Sequence, residues 1–207
     1  MDEHFFEIKK NVRFSTLGNV KAKRLLIALH GYGQLSKYFI RKFIGLEEDW
    51  FVVAPEATHR FYLNGSSGRV GASWMTKELR DVDIAENNLL IESLLNTLLT
   101  SETYEEVVLL GFSQGGATAS RYFYSNQNKI NRLIVWASVF PPDIDKETIF
   151  NRSSTHSKNT FVLGANDMFF NENQQVEAFV FFEELGFKTK KFDGNHDIDL
   201  KTLQDIL

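Results

Sequence analysis

Ser113 stands at the centre of Gly111-Phe112-Ser113-Gln114-Gly115, a G-x-S-x-G pattern set between an apolar run, "EVVLLGF", and an amphipathic one, "GGATASRYFYSN". A strand-to-helix turn that tight lifts the serine hydroxyl clear of a sheet, and glycines are needed where side chains would collide. A serine hydroxyl is a poor nucleophile at neutral pH, so it needs a base, and the base needs an acid to orient it. The chain order on this kind of scaffold is serine, acid, histidine. Of the five histidines only His156 and His196 follow Ser113. His156, in the polar stretch "NRSSTHSK", reads as solvent-facing. His196, in "FDGNHDI", follows a strand and precedes the last helix, where a base belongs. Asp167 ends "FVLGAND" and would arrive from a neighbouring strand end. It is preferred to Asp193, which shares the histidine loop, while Asp197 and Asp199 read as caps of the last helix. Acyl transfer also needs donors for the oxyanion. The N–H of Gln114 supplies one. The loop in "ALHGYGQ" offers the N–H of Tyr32 as the second, with Gly31 and Gly33 allowing close approach and His30 bracing the loop.

These residues fall at the ends of predicted strands. "RLLIALH" (24–30), "WFVVAPE" (50–56), "EVVLLGF" (106–112), "RLIVWAS" (132–138), "NTFVLGA" (159–165) and "FKTKKF" (187–192) read as strands. Helices are expected over 35–49, 80–101, 115–126, 171–186 and 197–207, from apolar spacing such as Ile84, Ile91, Leu95 and Leu98. Alternation of the two types predicts a single α/β domain over 1–207, with a mostly parallel central sheet covered by helices on both faces. Ligands in such folds bind beyond the carboxyl ends of the strands.

Composition narrows the function. A net charge of −4 with no basic run gives no reason to expect nucleic-acid binding or anionic-membrane anchoring. The absence of cysteine excludes disulfides and a thiol nucleophile. The acidic start, "MDEHFFEIKK", lacks the apolar region of a secretory signal, so a cytoplasmic protein is expected. Nineteen phenylalanines in 207 residues either fill the core or line an apolar groove.

"HGYG", "GFSQGG", "GAND" and "FDGNH" together resemble the phospholipase/carboxylesterase family of α/β-hydrolases, the group that includes acyl-protein thioesterases. "ASVFPP" (137–142) also matches. The resemblance implies Ser113, Asp167 and His196 as the triad and Tyr32 and Gln114 as oxyanion donors. The chain departs from the family where Met75 and Thr76 follow Trp74, where Met168-Phe169-Phe170 follows Asp167, and in a shorter histidine loop. About twenty residues separate 132–138 from 159–165, too few for a cap domain.

The expected activity is hydrolysis of a small-molecule acyl ester through an acyl-enzyme, with no metal or cofactor. A thioesterase or small peptidase would use the same triad, and a non-catalytic binding protein on a hydrolase fold is the rival of another class. The groove would be walled by the loops 55–75, 137–158 and 168–171, with Trp74 and Phe140 as wall residues. The sequence leaves the oligomeric state open, a homodimer included.

Overall fold

Five strands are buried along their whole length or nearly so: β2 (Arg24–Leu29), β3 (Trp50–Pro55), β6 (Glu106–Phe112), β7 (Arg132–Trp136) and β8 (Thr160–Gly164). Continuous apolar runs of this kind require cover on both faces of the sheet. In the computed structural model, which describes residues 2–125, 129–145, 148 and 158–207, they form the middle of a seven-stranded sheet ordered β1-β3-β2-β6-β7-β8-β9. Its edges are β1 (Phe14–Leu17) and β9 (Lys188–Phe192). Only β1 runs antiparallel to its neighbour.

The chain steps from β2 to β3 in one direction and from β6 to β9 in the other. Right-handed crossovers then place α2 (Arg80–Ser101), α3 (Gln114–Ser125) and α4 (Glu172–Glu184) on one face and α1 (Ser36–Phe39) on the other. The last helix, α5 (Leu200–Ile206), lies against the turn that follows α1, where Gln204 donates to the Gly45 carbonyl. The order reverses between β2 and β6, so the crevice at their carboxyl ends is the expected site. Their register fixes its floor: Leu29 pairs with Gly111, and the loops carrying Tyr32 and Ser113 leave the sheet side by side.

Three elements differ from the sequence reading. The helix expected over 35–49 is one turn, α1, followed by a 3-10 turn over Ile40–Phe43. It ends because Ile44 is extended (ψ 124°), while Phe39, Ile40 and Phe43 have already filled the core there. Strand β1 is additional. So is a two-stranded hairpin, β4 (His59–Asn64) and β5 (Ser67–Ser73), built from the segment read as a groove loop. The 146–147 and 149–157 part of the expected 137–158 loop, with His156, lies outside the described residues, as does the last residue of the helix expected over 115–126.

Phenylalanine goes mainly to the core. Phe161 on β8 stacks on Phe182 of α4 with ring centroids 4.0 Å apart, and Phe179 and Phe187 pack edge-on to the same pair. Asp199 caps α5, its carboxylate accepting the Thr202 N–H, whereas Asp197 pairs with Lys42 instead.

Candidate active site

The turn after β6 holds its serine in a strained backbone conformation. Ser113 has φ +53°, in the left-handed region that disfavours a residue with a Cβ. Its N–H donates to the Trp136 carbonyl at 2.9 Å, and its carbonyl accepts the Gly116 N–H at 2.8 Å, which closes the turn into α3. The glycines allow backbone to meet backbone. A Cβ on Gly111 would lie 2.3 Å from the Gly115 carbonyl oxygen, and one on Gly115 would lie 2.4 Å from that of Leu29. The sequence pattern therefore forms the strand–turn–helix geometry that a nucleophile elbow requires, with its serine at the amino end of a helix whose first N–H groups have no partner within the helix.

His196 and Asp167 meet as the strand order requires. β8 and β9 pair Gly164 with Phe192, so the loops beyond them run together. The Asn166 N–H donates to Gly194, and a Cβ on Gly164 would strike the Gly194 carbonyl at 2.4 Å. His196 Nδ1 lies 2.7 Å from Asp167 Oδ2, with the carboxylate buried. A carboxylate only accepts, so Nδ1 carries the proton and Nε2 is left as an acceptor. Among the described residues Nε2 has no hydrogen-bond partner, and the Ser113 hydroxyl has none either. The imidazole instead reaches the elbow through Phe112, whose ring centroid is 4.9 Å away. Asp193, the rival acid, accepts from the Asn166 amide at 3.2 Å and does not bond His196.

The loop after β2 stands against the elbow. A Cβ on Gly31 would come within 3.2 Å of Ser113 Cβ. Among the described residues neither the Tyr32 nor the Gln114 N–H donates to a protein acceptor. His30 is buried. Its Nε2 accepts the Ala57 N–H at 3.1 Å, so its Nδ1–H donates to the Gly31 carbonyl at 2.8 Å. Burial holds its pKa below the ordinary histidine value. It is a neutral brace for the loop, as its position before Ser113 suggested. Glu56, also buried, accepts from Arg13, Arg60 and the Ser36 N–H. Burial would raise its pKa, but these partners outweigh burial and hold it below the usual value.

The model of one family, described as phospholipase/carboxylesterase, matches residues 16–207. The chain belongs to the phospholipase/carboxylesterase family. That family comprises esterase- and thioesterase-type α/β-hydrolases, and the sheet described above is an α/β-hydrolase-like fold. Among curated proteins no match is found. Several solved structures share the fold. Esterase PE8 is 20% identical with a TM-score of 0.68, covering 96% of this chain and 100% of its own. The acyl-protein thioesterase 2 of Zea mays is 18% identical with a TM-score of 0.65, covering 94% and 95%. The carboxylesterase of Bacillus cereus is 12% identical with a TM-score of 0.64, covering 94% and 91%.

Two residues of this phospholipase/carboxylesterase chain lie elsewhere than the sequence reading put them. Trp74 is fully buried and walls no groove. Its indole N–H donates to the His30 carbonyl at 2.7 Å, and its ring packs on His30 at 5.1 Å. Phe140 packs on Tyr124, Phe181 and Phe182 between α3 and α4, as part of the phenylalanine cluster. Sequence reasoning also missed two devices. The Gln114 side chain ties the elbow to the end of β5, accepting the Trp74 N–H at 3.0 Å and donating to the Met75 carbonyl at 2.8 Å. The Phe169 N–H donates to Asp167 Oδ1 at 3.0 Å, which orients the carboxylate from the side away from His196. That second contact is a local Asx turn, and the Asp-x-x spacing was its only available signal.

Proposed function

We propose that this protein is a serine hydrolase of carboxylic esters, with Ser113 as nucleophile, His196 as base and Asp167 as its orienting acid. His196 Nε2 takes the Ser113 proton as Oγ attacks the acyl carbonyl. The developing oxyanion accepts from the N–H groups of Tyr32 and Gln114, each such donor being worth about 10²–10³ in kcat. His196 then returns the proton to the leaving oxygen, the alcohol departs, and a water activated by the same imidazole releases the acid. Asp167 fixes the tautomer and stabilises the imidazolium. The observation that carries this reading is the 2.7 Å His196–Asp167 bond, which leaves Nε2 an acceptor on an imidazole packed against Phe112, the residue before a serine at φ +53°.

Fluorophosphonate labelling of the wild type, lost in Ser113→Ala, is the direct test. Hydrolysis should fall by about 10⁴–10⁶ in that variant. Normal turnover by Ser113→Ala would refute the mechanism. A panel of acyl esters and thioesters of graded length then separates an esterase from a thioesterase. Short to medium acyl groups are the expected optimum, because the roughly twenty residues between 132–138 and 159–165 are too few for a cap domain.

A further inference from the structure

His196 touches two aromatic rings of opposite character. Phe112 is buried, whereas Phe169 is 65% exposed and lies edge-on to the imidazole, with ring centroids 4.5 Å apart. Exposed apolar side chains are common on any surface, and the neighbouring Met168, 84% exposed, would by itself mean nothing. What singles out Phe169 is its attachment. Its N–H is bonded to the Asp167 carboxylate, and the next residue, Phe170, donates to the Asp167 carbonyl at 3.2 Å. The ring is therefore fixed to the acid–base pair from the solvent side.

The chemistry of acyl transfer says what that ring would meet. When the tetrahedral intermediate collapses, the bond from the acyl carbon to the alkoxy oxygen breaks, and the proton on His196 Nε2 passes to that oxygen. The leaving oxygen must then lie about 2.6–3.2 Å from Nε2. Whatever the oxygen carries must then leave past the imidazole, against which exposed Phe169 is packed with exposed Met168 beside it. We infer that Phe169, flanked by Met168, is the contact surface for the leaving group and makes this enzyme select apolar, preferably aromatic, alcohols. The inference rests on the assignment of His196 as the base.

Methyl acetate and benzyl acetate test it, since they share one acyl group and release alcohols of similar acidity. Wild-type kcat/KM should favour the benzyl ester. An aromatic pair adds to plain area burial, so the benzyl-to-methyl ratio should fall about tenfold in Phe169→Ala. Phe169→Leu keeps an apolar side chain on the imidazole and guards against disturbance of the loop. Its ratio should fall about threefold. A ratio unchanged in both variants, or an equal loss on both esters, overturns the inference while fluorophosphonate labelling of Ser113 still stands. A wild type that hydrolyses neither ester and takes no label overturns the reading of the site, and this inference with it.

Discussion

Replacing Ser113 by glycine should produce a protein that is inactive and more stable than the alanine variant. Both substitutions remove the hydroxyl, which has no hydrogen-bond partner among the described residues, so neither loses a polar contact. They differ in backbone. At φ +53° a residue with a Cβ sits in the left-handed region at a cost of about 1–2 kcal/mol, and alanine keeps that cost. Glycine escapes it but loses about 0.5–1 kcal/mol more backbone entropy on folding. The difference leaves Ser113→Gly ahead of Ser113→Ala by about 0.5–1 kcal/mol, or about 1–4 °C in Tm for a domain of this size. Leu79→Gly is an internal control, because Leu79 has φ +50°, is half exposed at the amino end of α2, and lies outside the catalytic assignments. Its Tm should shift with the same sign while activity persists. Differential scanning calorimetry of the three variants decides the matter. A Tm for Ser113→Gly equal to or below that of Ser113→Ala would show that the elbow stores no strain, and the structural argument for Ser113 would lose its basis.

Other outcomes follow from the same geometry. Asp167→Asn should lower kcat by roughly 10⁴-fold by favouring the wrong His196 tautomer, while Asp193→Asn should change it little; steady-state kinetics of the pair would expose an error in the choice of acid. Stability should fall on acidification below about pH 6.5, the ordinary histidine value, because the unfolded chain then binds a proton that buried His30 refuses. The contribution of His30 is complete above that pH and is lost as pH drops toward its lowered folded value, with a slope approaching about 1.4 kcal/mol per pH unit. In denaturant melts between pH 5 and 7.5 the stability gap between wild type and His30→Gln should narrow as pH falls, and a constant gap would contradict a neutral buried imidazole.

The parts legible in the sequence share a physical cause. β2, β6, β7 and β8 carry no polar side chain after their first residue because both faces of the sheet are covered, and the polar residues that follow them stand out against that background. Ser113, Asp167 and Tyr32 could be located in this way, and His196 by its place between the last strand and helix. The hairpin β4–β5 could not. Its burial alternates near His59 and then turns fully exposed toward the tip, and its partner is the Gly31–Gln34 loop rather than the sheet. Trp74 was misread because an aromatic beside a motif suits a groove wall and a brace equally well, and only the bond from its indole to His30 separates them. Phe140 was misread for a similar reason. In a chain so rich in phenylalanine, sequence position does not reveal which rings join the stack on Phe182.

The hairpin has a consequence for how such an enzyme could diversify. Its root is rigidly docked, since a Cβ on Gly71 would lie 2.5 Å from the Gly33 carbonyl oxygen, and Gly33 donates to the Ala72 carbonyl at 2.9 Å. Its tip is the opposite, because a side chain added at Gly65 or Gly68 would meet no atom within 4 Å. Residues inserted between those two glycines would extend outward and leave the register at Gly71 and Ala72 untouched. The chain thus carries a graft point on a hairpin whose root is docked on the loop of Tyr32, where length and composition can be varied at the tip while the loop holding the Tyr32 N–H stays in place.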